Sequence, residues 1–366
     1  MVETGAGDLI TAWFHGSGER QSDDVLIQGA RKRQGENTWS PPFVMADTQD
    51  LPDCNPVLFI DPRGVLWLFW VAIQNNEWGG ALLKCRTATR YTDDGPPRWD
   101  WQDVIHTRPK DLEARFLAVM DNAETAMAAL LEATPRYRDL IAQGRRAAQD
   151  KLTRRLGWMT RIHPLMTSDT RMVLGLYSDV FNCSLACITE DWGKTWVCSE
   201  PILAPEAKLL ANIQPSFVRK RNGDLMAFMR DNGMPKNIRT AISGDNGMTW
   251  QQHGMLDVRN PGSSVECVAL DSGRWVLVCN DTLRGRHILS AYLSEDEGAT
   301  WPLFRRIEDF KPGKGSGSYP SVIQAADGAI HCTYSFKEEG VKGSSIKHVR
   351  FNEAWVMAAP QPSPAE

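Results

Sequence analysis

Three copies of one eight-residue pattern limit what this chain can fold into. They read Thr189-Glu190-Asp191-Trp192-Gly193-Lys194-Thr195-Trp196, Ser243-Gly244-Asp245-Asn246-Gly247-Met248-Thr249-Trp250 and Ser294-Glu295-Asp296-Glu297-Gly298-Ala299-Thr300-Trp301. The shared form is Ser/Thr-x-Asp-x-Gly-x-Thr-Trp. Its chemistry is that of a tight turn: Asp and Ser/Thr side chains accept backbone N–H groups, and Gly supplies the positive φ. The Trp then opens an outer strand and packs between neighbouring units. The copies recur about every fifty residues, the period of a four-stranded propeller blade.

Strand-like runs joined by Gly-bearing turns precede these boxes. Examples are Pro215 to Val218, Asn222-Gly223 and Leu225 to Met229; Val265 to Leu270, Ser272-Gly273 and Trp275 to Cys279; Ser321 to Ile323, Asp327-Gly328 and Ile330 to Tyr334; and Val57 to Ile60, Arg63-Gly64 and Leu66 to Val71. These are hairpin signatures. Degenerate boxes stand at Thr92-Asp93-Asp94-Gly95 with Trp99 and at Glu36-Asn37-Thr38-Trp39. Together the units predict an all-β, six-bladed propeller, one domain over residues 1–366. The first unit, near residues 8–47, lacks one strand, and Asn352-Glu353-Ala354-Trp355-Val356 is expected to supply it and close the ring.

Residues 109–156 break the pattern. Leu112, Phe116, Val119, Ala123, Met127 and Leu131 recur at helical spacing, Pro135 interrupts, and a second helix runs through Leu140, Ala147 and Leu152. This is a helical insertion between the second and third blades. It reads as a packed hairpin, with a lid or a surface for homo-oligomer formation as the alternatives.

The bulk properties exclude several classes. A net charge of −4 argues against nucleic acid or an anionic membrane as the main partner. No run of eighteen apolar residues is present, so no transmembrane helix is expected. Met1-Val2-Glu3-Thr4-Gly5 has neither a basic nor a long apolar region. The expected compartment is cytoplasmic if this N-terminus is native, and periplasmic or secreted if it is trimmed. The eight Cys form no CxxC pair and mostly sit in apolar runs, as buried thiols do. No Gly-rich nucleotide loop, GxSxG or HExxH occurs, and neither a cofactor nor a metal is implied.

Propeller geometry places the chemistry. The end of the axis away from the boxes collects residues just before inner strands and just after second strands. Those positions hold Asn55, Arg161, His163, Gln214, Glu266 and Tyr319 in the first set. The second set holds Tyr177, Asp179, Arg230, Asp231, Asn280 and, from the first blade, His15 and Glu19. Fourteen Trp add surfaces that suit sugar stacking.

The eight-residue pattern resembles the Asp-box of the sialidase (neuraminidase-like) family of BNR-repeat propellers. Val265-Glu266-Cys267-Val268-Ala269-Leu270 is similar to the family segment carrying the Glu beside the nucleophile. Ser318-Tyr319-Pro320-Ser321-Val322 is similar to the segment carrying the nucleophilic Tyr. The resemblance implies a glycoside hydrolase, exo-α-sialidase-like, that removes a terminal acidic sugar. Tyr319 would attack the anomeric carbon and Glu266 would take its proton, the known exception to the two-carboxylate scheme. The family's first carboxylate-binding Arg has no counterpart before Asp8. Arg161, Arg230 and Arg286 are the candidate ligands for a carboxylate, with Asn55, Gln214, Asn280, His15 and Glu19 around the substrate. Asp231, Asp179 and Glu19 are the candidates for the acid. Two alternatives remain open at this point. One is a uronic-acid polysaccharide lyase using His163, Arg161, Tyr319 and Asn55. The other is a propeller that binds carbohydrate without turnover.

Overall fold

The computed structural model describes residues 1–203, 212–233 and 236–358. Six antiparallel sheets follow one another in chain order, each built from consecutive strands, and form the six blades of a propeller. Blades one to five have four strand positions from the axis outward, and blade six has three. In blade three the inner position is split into Met159–Thr160 and Leu165–Met166, both paired to Met172–Ser178.

Apolar burial joins the blades. Five clusters of buried side chains fill five of the six junctions: blade one against two, two against three, three against four, four against five, and five against six. Burial of this kind stabilises the ring at roughly 25 cal/mol per Å² of apolar surface. The junction of blades six and one is made differently. There the ring of Trp39 meets His348 edge-on at 5.4 Å, and the Glu3 carboxylate accepts the Ala326 N–H at 2.7 Å.

The boxes form the turns that their chemistry predicts, between the third and fourth strands of blades three, four and five. In the second box Ser243 Oγ accepts the Gly247 N–H at 2.9 Å. Asp245 accepts the Thr249 N–H at 2.9 Å and the Thr249 hydroxyl at 2.6 Å. The first and third boxes repeat these bonds through Asp191 and Asp296. Gly247 has φ 92°, a left-handed value that its lack of a Cβ allows. Trp196 and Trp301 pack edge-on against Phe69 and Phe228 of the preceding blades.

Three helices fill the insertion: α1 (Leu112–Ala126), α2 (Ala128–Ala133) and α3 (Pro135–Gln149). The first break falls at Met127, earlier than Pro135. The buried face of α1 includes Phe116, Val119 and Ala123. Phe116 meets Phe181 of blade three edge-on at 5.2 Å, and Phe181 stacks on Trp158. The insertion is therefore a hairpin packed on the ring.

The expected closing strand is corrected. Residues Glu353–Met357 form a short helix, α4, capped by Asn352, whose side chain accepts the Trp355 N–H at 2.8 Å. Asn352 is a favoured N-cap residue and Glu353 favours a first helical turn, so local capping outweighs the strand reading. Blade one is completed by its own Val2–Glu3, paired with Leu9–Ile10. All eight Cys are buried thiols. No helix of the described residues is long and apolar enough to cross a membrane.

Candidate active site at the propeller axis

Three inner strands share one irregularity. In blade two a bulge lies between Cys54 and Val57, in blade four between Ile213 and Ser216, and in blade six between Ser318 and Ser321. At each bulge the first extra residue is left-handed and precedes a proline: Asn55 (φ 53°), Gln214 (φ 57°) and Tyr319 (φ 58°). A non-glycine residue in this region is strained by about 1–3 kcal/mol, and bulges re-aim side chains beside active sites. Here all three side chains line one cavity of about 690 Å³. In blade three the same effect comes from the break in the inner strand, which brings Arg161 and His163 to the cavity.

Three arginines from three blades meet Tyr319. Arg286 Nη2 donates to the Tyr319 phenol oxygen at 3.2 Å, and its guanidinium lies 4.6 Å from the ring centroid. The Arg161 guanidinium lies 4.9 Å from the same centroid and donates to the Tyr319 carbonyl at 2.8 Å. Arg230, at the end of the second strand of blade four, completes the group and donates to Asn232 Oδ1 at 2.7 Å. Burial of Tyr319 acts to raise its phenol, but the charges of Arg286, Arg230 and Arg161 outweigh it and hold the phenol below its ordinary range.

The same cavity holds a second phenol. Tyr177 ends the second strand of blade three, and its oxygen accepts Asn55 Nδ2 at 3.2 Å. Two residues on, burial raises the Asp179 carboxyl above its ordinary range, against the pull of Arg230 and Arg20. His15 and Glu19 lie on the rim, where Glu19 pairs with Arg20 at 3.8 Å.

Glu266 is placed differently from the expected pairing with Tyr319. Its carboxylate accepts the Val322 N–H at 2.8 Å and meets His163 Nδ1 at 2.5 Å, while His163 Nε2 meets the Met1 carbonyl at 2.7 Å. Among the described residues no hydrogen bond joins Tyr319 to Glu266. The bulge turns Tyr319 into the large cavity, whereas Glu266 lines a second cavity of about 520 Å³, and His163 borders both. Burial acts to raise Glu266, yet the His163 charge and these hydrogen bonds hold it below the usual carboxylate range.

Asp231 and Asn280 stand away from the cavity. Asp231 is buried against Arg239 Nε at 2.8 Å and accepts the Gly233 N–H at 2.7 Å. Asn280 is fully buried and donates to the Ile288 and Gly317 carbonyls, both at 2.8 Å, bracing blade five to blade six. The cavity also takes in Trp78, Phe336 and Lys337, which the sequence reading missed. The rule of looking just after second strands would have found all three, had it been applied to Trp78 and to the end of Ile330–Glu338.

Six blades, three of them carrying box turns, and a polar cavity on the axis define a β-propeller of the sialidase-like class. The chain belongs to the BNR repeat-like domain family, whose model matches residues 7–124 and 147–332. The unmatched interval falls within the helical insertion. No curated protein matches the chain significantly. Among solved structures it is similar to the Hadza microbial sialidase Hz136, at 16% identity and TM-score 0.67, over 97% of this chain and 65% of that one. It is similar to the leech intramolecular trans-sialidase at 12% identity and TM-score 0.65, over 97% of this chain and 67% of that one. The intramolecular trans-sialidase of Ruminococcus gnavus matches at 12% identity and TM-score 0.65, over 98% and 94%. At these identities the likeness is one of fold.

Proposed function

We propose that the chain is a glycoside hydrolase that removes a terminal acidic sugar, with Tyr319 as nucleophile. The observation that carries this is the convergence of Arg161, Arg230 and Arg286 on Tyr319 within one cavity. Guanidinium groups suit a carboxylate through paired N–H donors, and a neutral phenol repels that carboxylate less than Asp or Glu would. The likeness to sialidases in fold supports the same substrate class.

In this scheme the Tyr319 oxygen bonds to the anomeric carbon as the bond to the leaving oxygen breaks. The Asp179 carboxyl, whose burial favours the protonated form, gives its proton to that oxygen. Water then attacks the anomeric carbon, Asp179 takes the water proton, and Tyr319 is released. The three guanidiniums favour loss of the tyrosyl proton, which passes to solvent as the attack proceeds. Glu266 acts on His163 instead of on Tyr319.

The test is turnover of 4-methylumbelliferyl glycosides of N-acetylneuraminic, glucuronic and galacturonic acids. Hydrolysis of one of them by the native chain, and its loss in Tyr319→Phe, is expected. Full turnover by Tyr319→Phe on that substrate would overturn the proposal.

A further inference from the structure

The cavity that holds Tyr319 carries a second recognition element. Asn55 and Gln214 come from the bulges of blades two and four, which flank blade three. Both are strained left-handed residues before proline; the Asn55 amide donates to the phenol oxygen of Tyr177, and the Gln214 side chain lines the same cavity. That oxygen accepts Asn55 Nδ2 at 3.2 Å, and the Gln214 side chain lies close by in the same cavity lining. With Asn55 donating to its oxygen, the Tyr177 hydroxyl has its own proton to offer a ligand. Burial keeps that proton on, pushing the phenol well above its ordinary range. Gln214 contributes the opposite capacity. Its Oε1 is buried, has no hydrogen-bond partner among the described residues, and belongs to a residue that is 4% exposed and lines the cavity.

A buried acceptor without a partner is uncommon in a folded protein and points to a missing bonding group. A donor and an acceptor side by side match a group that both accepts and donates. A carboxylate only accepts, and an ammonium only donates. A sugar hydroxyl does both, and the carboxylate already has cationic partners in Arg161, Arg230 and Arg286. We propose that Tyr177 and Gln214, held by Asn55, form a subsite for one hydroxyl of the bound sugar. Tyr177 donates to the hydroxyl oxygen, and the hydroxyl donates to Gln214 Oε1. This subsite rests on the acidic-sugar reading above and names the part of the sugar that the site selects.

Calorimetric binding tests it, with N-acetylneuraminic, glucuronic and galacturonic acids and the monodeoxy forms of whichever binds. The native chain should lose at least about tenfold in affinity for one monodeoxy form, because a site built around a hydroxyl is left with unpaired groups when it is absent. Tyr177→Phe and Gln214→Leu should bind the parent acid and that monodeoxy form equally. Arg286→Met should weaken both by the same factor and keep the discrimination. Binding of an acid with no monodeoxy form discriminated, or discrimination that survives in Tyr177→Phe, overturns the subsite and leaves the acidic-sugar reading standing. Failure of every acid to bind the native chain overturns both. Tyr177→Phe keeps the buried ring, and Gln214→Leu supplies a second, independently placed variant.

Discussion

Arg286 reaches Tyr319 twice, through a hydrogen bond of 3.2 Å to the phenol oxygen and through a guanidinium 4.6 Å from the ring. Both contacts favour the charged phenolate over the neutral phenol, and they come from a residue in the neighbouring blade. Since a cation lowers a phenol, removing it must raise the phenol. Arg286→Met is therefore expected to move the Tyr319 titration to higher pH. Ultraviolet difference titration of tyrosinate, compared with Tyr319→Phe to assign the signal, measures the shift. In a turnover assay the rising limb of kcat/KM would move the same way.

Glu266 is bound to stability through His163 and the Val322 N–H. Glu266→Ala leaves His163 without its carboxylate in a buried place and is expected to cost about 3 kcal/mol, read by denaturant unfolding. The same variant should leave the Tyr319 titration nearly unmoved. The sign of the pH effect follows from the direction of the shift. Glu266 is held below its unfolded value of 4.5, so its contribution is present above that pH and is lost as the pH falls through the folded value.

The box carboxylates hold turns and stand at the end of the axis away from the cavity. Asp245→Ala removes bonds to the Thr249 N–H, the Thr249 hydroxyl and the Met248 N–H, and also to Ser243. A loss of roughly 1–2 kcal/mol in unfolding free energy is expected. Affinity for the acidic sugar of the proposed site should stay within about twofold in calorimetry.

The seam between blades six and one should be sensitive to acid. His331 Nδ1 and His348 Nε2 lie 2.9 Å apart with stacked rings, and Trp39 of blade one rests on His348. Burial lowers both, with Arg350 adding to it at His331 and His331 itself adding to it at His348, which falls to about 4. Their unfolded value is 6.5, so the unfolded chain takes up protons first as the pH falls. Stability is fully present above pH 6.5 and declines toward about pH 4. His348→Phe should flatten the fall in Tm across that window, measured by thermal unfolding at a series of pH values.

Much of the fold was legible because its signals are local. In each box the bonding groups lie within four residues of the Asp, so residue type and spacing suffice to specify the turn. The insertion was legible for the same reason, through the spacing of Leu112, Phe116 and Val119 on one helical face. The closing strand was misread because Asn352 and Glu353 carry a capping signal that a short apolar run does not outweigh. The bulges were visible only as three X-Pro pairs, Asn55-Pro56, Gln214-Pro215 and Tyr319-Pro320. A residue before proline is biased toward extended backbone, so the left-handed turn at each is opposite to the local preference.

The sequence by itself determined the repeating unit, the number of blades and the set of polar residues available at one end of the axis. These follow from turn chemistry and strand alternation, which act over a few residues. Only the tertiary structure decided which of those residues meet. Arg161, Arg286 and Tyr319 come from three blades, and contacts between blades depend on how each inner strand is bulged or broken. The break in the inner strand of blade three brought His163 to Glu266, and the bulge in blade six turned Tyr319 toward the arginines, because a single extra residue in an inner strand changes the face to which a side chain points.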